Sequence, residues 1–75
     1  MTRLPVVSGR DCVAALTRAG FRVIRQRGSH ISLQRSTPFS QVVVPDHKEL
    51  DRGTLRSIIR NAGLSVEEFV KYLNA

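Results

Sequence analysis

The sequence predicts an α+β fold in which helices cover one face of a three-stranded antiparallel sheet. Capping signals and apolar residues at helical spacing occur near both ends of the chain. Between them, apolar and polar residues alternate around a glycine-serine turn, as in a β-hairpin. The length of 75 residues allows one small domain. Because helices can cover only one face of so small a sheet, we expect the other face to meet solvent.

The first helix is predicted to begin after Ser8. The Ser8 hydroxyl caps the helix, and Asp11, three residues later, reaches back to complete a capping box. Gly20 follows the last helical residue as a left-handed cap, so Phe21 folds back toward Leu16. The helix that opens the domain therefore lies between Ser8 and Gly20.

A β-hairpin is predicted to follow the first helix. Phe21 to Arg27 is rich in β-branched, aromatic and arginine residues, Gly28-Ser29 forms a turn, and His30 to Arg35 alternates between apolar and polar residues. In the second strand Ile31 and Leu33 share the core face. The residues that alternate with them should face solvent, and these are His30, Ser32 and Gln34.

The first strand is less regular, because the adjacent residues Val23 and Ile24 are both apolar and compete for the core face. Ser36 to Ser40, which contains Pro38, is predicted to be a loop. Gln41 to Pro45 is predicted to be the third strand, and Pro45 ends it. The apolar residues of that strand are Val42, Val43 and Val44.

Two further helices are predicted after the sheet. Asp51 is the expected cap of the second helix, and Gly63 closes it. The apolar residues of this helix follow the i, i+3, i+4, i+7 spacing, and they are Leu55, Ile58, Ile59 and Ala62. Ser65 and Glu68 form the capping box of a short third helix. That helix should dock through Phe69, Val70 and Leu73.

The charge balance indicates a polyanionic partner. Twelve lysine and arginine residues oppose six acidic residues, which gives a net charge of +6, and ten of the twelve cations are arginine. Arginine presents a planar fork of donors that binds phosphate oxygens in pairs and stacks on bases. A solvated basic face without a ligand is the alternative interpretation.

Cys12 is the single cysteine, which excludes an internal disulfide and a zinc site built on cysteines. Its apolar helical position predicts a core residue. Residues 1–9 lack the apolar region of a signal peptide, and no apolar run approaches the ~20 residues of a membrane span. We therefore expect a soluble cytoplasmic protein that does not act at a membrane.

His30 is the best candidate for a chemically active group. It follows the Gly28-Ser29 turn inside an arginine-rich hairpin, Arg22 to Arg35. Histidine can accept and donate a proton near neutral pH without special burial. The alternative is a hairpin histidine that completes the turn or stacks on a nucleobase and does no chemistry.

Six short fragments follow one another in a characteristic order and spacing. They are Gly20-Phe21, Arg25-Gln26-x-Gly28-Ser29-His30, Val44-Pro45-x-His47, Lys48-Glu49-Leu50, Gly53-Thr54-Leu55-Arg56-Ser57-Ile58 and Ala62-Gly63-Leu64-Ser65. Each fragment alone is weak evidence for a protein family. Together, from about Leu4 to Leu73, they resemble the HicA (YcfA-like) toxins of prokaryotic toxin-antitoxin systems.

The resemblance implies a double-stranded-RNA-binding-domain-like fold and an mRNA interferase, an endoribonuclease that arrests translation until a cognate HicB antitoxin covers it. It assigns catalysis to His30 and the turn glycine to Gly28. It places the Thr-Leu-Arg stretch of the family at Thr54, Leu55 and Arg56. The partners that it implies are mRNA and a HicB-type antitoxin protein.

RNA can be cleaved by internal attack of its 2′-hydroxyl, which needs a base, an acid and charge stabilisation. This route requires no metal and no small-molecule cofactor. His30 can act as the base or the acid, and Arg25 and Arg27 are the leading candidates to stabilise charge on the phosphate. His47 can complete an acid-base pair with His30, pin its loop or contact RNA.

The candidate RNA-binding residues are Arg25, Arg27, Gly28, Ser29, His47, Lys48, Arg56 and Arg60. Arg56 and Arg60 lie one turn apart on the second helix, where they form either a phosphate-contacting stripe or a solvated face. A metal site on Asp46, His47 and Glu49 is disfavoured because no other ligand cluster accompanies them. The competing functions are a non-catalytic RNA-binding module of the same fold and a DNA-binding or adaptor protein.

Overall fold

The computed structural model describes residues 2–75, which contain three helices and three strands in the predicted order. These are α1 (Gly9–Arg18), β1 (Arg22–Arg27), β2 (His30–Ser36), β3 (Phe39–Pro45), α2 (Arg52–Asn61) and α3 (Val66–Leu73). The strands form one antiparallel sheet in the order β1-β2-β3. The α+β class and the α-β-β-β-α order with a C-terminal helix are thereby confirmed. None of the three helices is long and apolar enough to cross a membrane.

The helices pack on one face of the sheet. Alternate residues in the middle of β2 and β3 are buried beneath them, namely Ile31, Leu33, Val42 and Val44. The apolar residues that the helices place in the same core include Leu16, Leu55, Ile58 and Phe69. The strand residues between the buried positions are partly or fully exposed. The side of the sheet that these residues occupy is called the open face below.

The ends of α1 follow the predicted capping signals with one difference. The Ser8 hydroxyl accepts a 3.0 Å hydrogen bond from the Asp11 backbone N–H. Gly20, at φ 102°, lets the Phe21 N–H donate to the Leu16 carbonyl. Among residues 2–75, however, the Asp11 carboxylate makes no return bond. Aspartate is one methylene shorter than the glutamate that usually closes such a box, so the predicted box is half formed.

The N-terminal caps of α2 and α3 differ. Asp51 stands at the N-cap of α2 without a side-chain capping bond, whereas Ser65 and Glu68 form the complete box that was predicted for α3. The Ser65 backbone N–H donates a 2.8 Å hydrogen bond to the Glu68 carboxylate. This bond, together with the side-chain hydrogen bond to Ser65, holds the pKa of Glu68 below its ordinary value.

The connection between β2 and β3 is shorter than predicted. Ser36 pairs directly with Phe39, so only Thr37 and Pro38 lie between the two strands. The prediction of a loop from Ser36 to Ser40 is therefore wrong. Pro38 lies in the turn, where its missing N–H removes no bond of the ladder, and the residues on either side continue the strands.

β1 is an edge strand and is exposed along its whole length. Val23 and Ile24 are 49% and 42% exposed, so neither of them is a core residue. The pairing with β2 shifts between Val23 and Arg25, which makes Ile24 the extra residue of a β-bulge. Phe21, immediately before the strand, is buried instead.

Cys12 is fully buried in the core, as predicted. Burial raises the pKa of its thiol to about 12. The thiol therefore stays protonated and packs as a small apolar side chain.

Candidate functional site

His30 is the first residue of β2, and its side chain is exposed on the open face of the sheet. The buried position of the next residue, Ile31, fixes this orientation because strand side chains alternate. Gly28 precedes it in the turn with φ at 56°. No protein atom lies within 4 Å of where a Cβ of Gly28 would stand, so within the protein it is the positive φ that favours glycine there.

Three arginines of β1 share the open face with His30. Residues that stand directly across from one another in an antiparallel pair point to the same side. Arg27, Arg25 and Arg22 pair in turn with the outward residues of β2, which are His30, Ser32 and Gln34. Among residues 2–75, none of the three guanidinium groups makes an ion pair or a hydrogen bond to another side chain or carbonyl. They are therefore available to an external anion.

The bulge at Ile24 is what adds Arg22 to this set. Arg22 precedes Arg25 by three positions, so strict alternation would send their side chains to opposite faces. The extra residue shifts the phase by one and returns Arg22 to the open face. Arg25 and Arg27 were predicted to contact phosphate, whereas Arg22 was not. The available signal was the adjacent apolar pair Val23-Ile24, which alternation alone does not accommodate.

The open face carries positive charge without a carboxylate on the strands. None of the segments β1, β2 and β3 contains aspartate or glutamate. A phosphate that approaches His30 from this side therefore meets the β1 guanidinium groups and no acidic residue of the sheet.

Part of the chain after β3 is tied to the end of the sheet that carries His30. The last residue of β3 pairs with His30, and the Asp46 N–H donates a 2.6 Å bond to the Ser29 carbonyl. His47 and Lys48 follow with exposed side chains. The structure thus brings the predicted residues Ser29, His47 and Lys48 to the same end of the sheet as His30.

The N-terminus of α1 is fastened at this end as well. The Gly9 N–H donates a 2.8 Å bond to the His47 carbonyl, and a side chain at Gly9 would overlap the Pro45 carbonyl. Arg10 donates two bonds, of 3.1 and 2.9 Å, to the Asp46 carboxylate. Among residues 2–75 no three histidine, cysteine or acidic side chains are grouped as metal ligands. Asp46 is held instead by Arg10 and by the Ser29 carbonyl, and these bonds fix the position of the segment after β3.

Arg56 and Arg60 are exposed on α2, in the layer of helices. His30 lies on the opposite side of the sheet from that layer. The structure therefore does not bring these two predicted RNA contacts to His30. Arg56 borders a cleft of about 610 Å³ whose other cationic residues are Arg3 and Arg52.

Arg35 belongs to the arginine-rich hairpin in sequence but not to the open face. It donates a 3.1 Å bond to the Ala62 carbonyl and a 3.2 Å bond to the Pro38 carbonyl. Its guanidinium carbon lies 4.7 Å from the centre of the Phe21 ring. Arg35 therefore holds the C-terminal end of α2 against the sheet and is occupied structurally.

Phe39 and Val43 are exposed apolar side chains on the open face, at 67% and 48%. Phe39 pairs with Ser36, and Val43 with Ser32. Phe39 was predicted to lie in the Ser36 to Ser40 loop, so its position on the sheet was not predicted. Alternation with the buried Val42 and Val44 was the signal for Val43.

Comparison with protein families identifies a family for this chain. A family model described as the HicA toxin of bacterial toxin-antitoxin systems matches residues 9–64. The matched range begins with α1, ends before α3 and includes the turn and His30. A comparison with curated proteins finds no match. Because the family model covers more than half of the chain, the family resemblance is confirmed, and the protein belongs to the HicA toxin family of bacterial toxin-antitoxin systems.

Proposed function

We propose that this toxin is an endoribonuclease that cleaves mRNA, and that His30 transfers a proton at the scissile phosphate. The observation that carries the proposal is an exposed imidazole directly across from Arg27, with Arg25 in the next cross-strand row. Proton transfer and stabilisation of negative charge are the two functions that internal attack on a phosphodiester requires. This row supplies a group suited to each.

The reaction that fits these groups is attack by the 2′-hydroxyl on the adjacent phosphorus. The 2′-oxygen loses its proton as it bonds to phosphorus, and the bond from phosphorus to the 5′-oxygen breaks as that oxygen gains a proton. The products are a 2′,3′-cyclic phosphate and a 5′-hydroxyl. His30 performs one of the two proton transfers, a role that typically contributes about 10² to 10⁴ in rate. No step requires a metal or a small-molecule cofactor.

Arg27 and Arg25 stabilise the phosphorane in this proposal. Directly paired residues of an antiparallel sheet have Cα atoms about 4.5–5.5 Å apart, so one phosphate can contact His30 and Arg27 together. Arg25 stands one row further along the same face. The guanidinium fork matches phosphate oxygens, which favours arginine over lysine at both positions.

The second proton transfer needs another group, for which His47 is the candidate. Its exposed side chain follows β3 at the end of the sheet that carries His30. Lys48 and the turn residues Gly28 and Ser29 are proposed to contact the RNA backbone at that same end.

Membership of a toxin-antitoxin family implies an antitoxin partner. We propose that this partner is of the HicB type, that both proteins act in the cytoplasm, and that the antitoxin covers His30 and the β1 arginines. Covering this surface would exclude mRNA by occupying the anion-binding face directly. An interface that leaves His30 open in the complex would contradict this part of the proposal.

The alternative function is a non-catalytic RNA-binding module. One observation favours it, because among residues 2–75 no side chain hydrogen-bonds to the His30 imidazole to orient it. Catalytic hydrogen bonds are often formed only in the substrate complex, so this observation does not contradict the catalytic proposal.

Two matched variants, His30→Ala and His47→Ala, separate the functions. We expect His30→Ala to lower the rate of RNA cleavage by about 10² to 10⁴ and to abolish growth arrest. Its RNA affinity should stay within about threefold, because phosphate contacts supply most of the binding. His47→Ala removes the candidate for the second proton transfer, and a comparable rate loss would make His47 the partner of His30. Cleavage by His30→Ala at the wild-type rate would disprove the proposal.

A further inference from the structure

The open face of the sheet is arranged in rows that run across the strands. The first row contains Arg27 and His30, and the second contains Arg25, Ser32 and Val43. The third row joins Arg22, Gln34 and Gln41, and the fourth joins Ser36 and Phe39. Each row follows the previous one by two strand residues, which is about 7 Å.

Along the strands, at right angles to these rows, the open face forms three parallel stripes of different chemistry. The β1 edge carries the three guanidinium groups of Arg22, Arg25 and Arg27. The middle stripe on β2 carries groups that form hydrogen bonds, and the β3 side carries the exposed Val43 and Phe39. A single strand of nucleic acid carries complementary chemistry, with anionic phosphates along one side and bases on the other that offer both polar edges and apolar faces.

We infer that the open face holds a single-stranded stretch of the RNA substrate and that Phe39 stacks on one of its bases. The inference rests on the proposed ribonuclease function and extends it to the substrate. The β1 arginines follow the phosphates, because the row spacing is comparable with the distance between successive phosphates of an extended strand. Proteins that bind single strands combine a cationic path with aromatic stacking platforms in this way.

The geometry also fixes where Phe39 acts relative to the chemistry. Its row lies six strand residues from the His30 row, or about 20 Å along β2. The stacked base is therefore about three nucleotides from the scissile phosphate, on one side of it only. Phe39 and Arg22 thus select and position substrate and do not contact the reacting atoms.

The charge of this surface favours RNA over a protein partner as the occupant of the Phe39 end. The strands carry no carboxylate, and the exposed apolar side chains are separated by Gln41 instead of forming one continuous patch. Arg22 stands in the row next to Phe39, where it can bind the phosphate of the stacked nucleotide.

Binding is measured with the full-length His30→Ala protein, which is expected not to cleave, and a fluorescein-labelled oligoadenylate of about eight nucleotides. Adding Phe39→Ala should weaken binding about tenfold, because base stacking on an aromatic side chain is lost. Phe39→Leu should weaken it similarly, whereas Phe39→Tyr should retain affinity. Val6→Ala removes an exposed apolar side chain outside the sheet and should leave RNA affinity unchanged.

The role of Arg22 is tested by salt dependence. Arg22→Gln should reduce the slope of log affinity against log salt by about 0.7, the value for one phosphate contact to a single strand. Lys71→Gln removes one exposed cation from α3, in the layer of helices, and should leave the slope unchanged.

Cleavage assays locate the stacked base. In otherwise wild-type protein, Phe39→Ala should lower kcat/KM about tenfold for RNAs extended on one side of the cleavage site. The same variant should leave kcat/KM unchanged for RNAs that extend only on the other side and for the shortest RNA that is cleaved. Equal losses of kcat/KM for RNAs extended on either side would contradict the placement of the stacked base on one side of the scissile phosphate.

Three binding results would overturn the inference that Phe39 stacks on a base of the RNA. They are unchanged RNA binding by Phe39→Ala, full affinity of Phe39→Leu, and an effect of Phe39→Ala on antitoxin binding with none on RNA binding, which would make Phe39 an antitoxin contact instead of an RNA contact. The proposed function fails on a different result, cleavage by His30→Ala, so the two failures are distinguishable.

Discussion

Gly28 and Gly53 illustrate how two exposed glycines can have opposite effects on stability. Gly28 has a φ of 56° in the turn before His30, whereas Gly53 lies in α2. Neither position has a neighbouring atom within 4 Å of an added Cβ. Backbone conformation alone therefore decides what a methyl group does at each site.

We predict that Gly28→Ala lowers the free energy of unfolding by about 1–2 kcal/mol, the cost of a left-handed backbone for a residue with a Cβ. Gly53→Ala should raise it by about 0.5 kcal/mol, because alanine loses less entropy in a helix. Urea unfolding of both variants measures the two values. Destabilisation by Gly53→Ala of the same size would show that conformation is not the cause.

Arg35 and Arg25 belong to the same hairpin but should affect different properties. Arg35→Ala removes a charged hydrogen bond to the Ala62 carbonyl and the contact with the Phe21 ring, so we predict a loss of about 2 kcal/mol in stability. Arg25→Ala should change stability by less than about 0.5 kcal/mol and weaken RNA binding instead. Thermal unfolding and RNA titration of both variants test this separation. A reversed pattern would contradict the assignment of the open face.

At the scale of elements, the capping box makes the stability contributed by α3 depend on pH. The folded state lowers the pKa of Glu68 through the hydrogen bond from the Ser65 N–H, so the unfolded state binds a proton more readily. The contribution is fully present above the unfolded pKa and is lost as the pH falls through the folded pKa.

Glu68→Gln should therefore lower the Tm at about pH 7 and differ little from wild type at about pH 3. Glu67→Gln removes one charge from the same turn without a capping bond and serves as the matched control. Melting curves of the three proteins at both pH values make the comparison. A Tm difference for Glu68→Gln that is as large in acid would rule out the carboxylate as its source.

The sequence predicted elements with local signals better than it predicted the edge of the sheet. Ser8, Gly20 and the pair Ser65 and Glu68 define helix ends through contacts within a few residues, and the structure contains those ends. The bulge at Ile24 depends on how β1 pairs with β2, which no local pattern specifies. For the same reason the placement of Phe39 in a strand was missed.

At the scale of the whole molecule, the fold separates two groups of predicted RNA contacts. Alternation in β2 correctly predicted that His30 faces solvent, because Ile31 and Leu33 are buried. It did not predict that Arg56 and Arg60 lie in the other layer, since that depends on how α2 packs on the sheet. Helix periodicity shows which side of a helix is polar but not which face of the protein it joins.

The central claim is that the open face cleaves RNA by internal attack with His30 transferring a proton. The most direct measurement is the chemistry of the RNA ends produced by wild type and His30→Ala in the presence of a chelator. We predict 2′,3′-cyclic phosphate and 5′-hydroxyl ends from wild type, and loss of these products with His30→Ala. Products with 3′-hydroxyl and 5′-phosphate ends, or cleavage abolished by the chelator, would contradict the account.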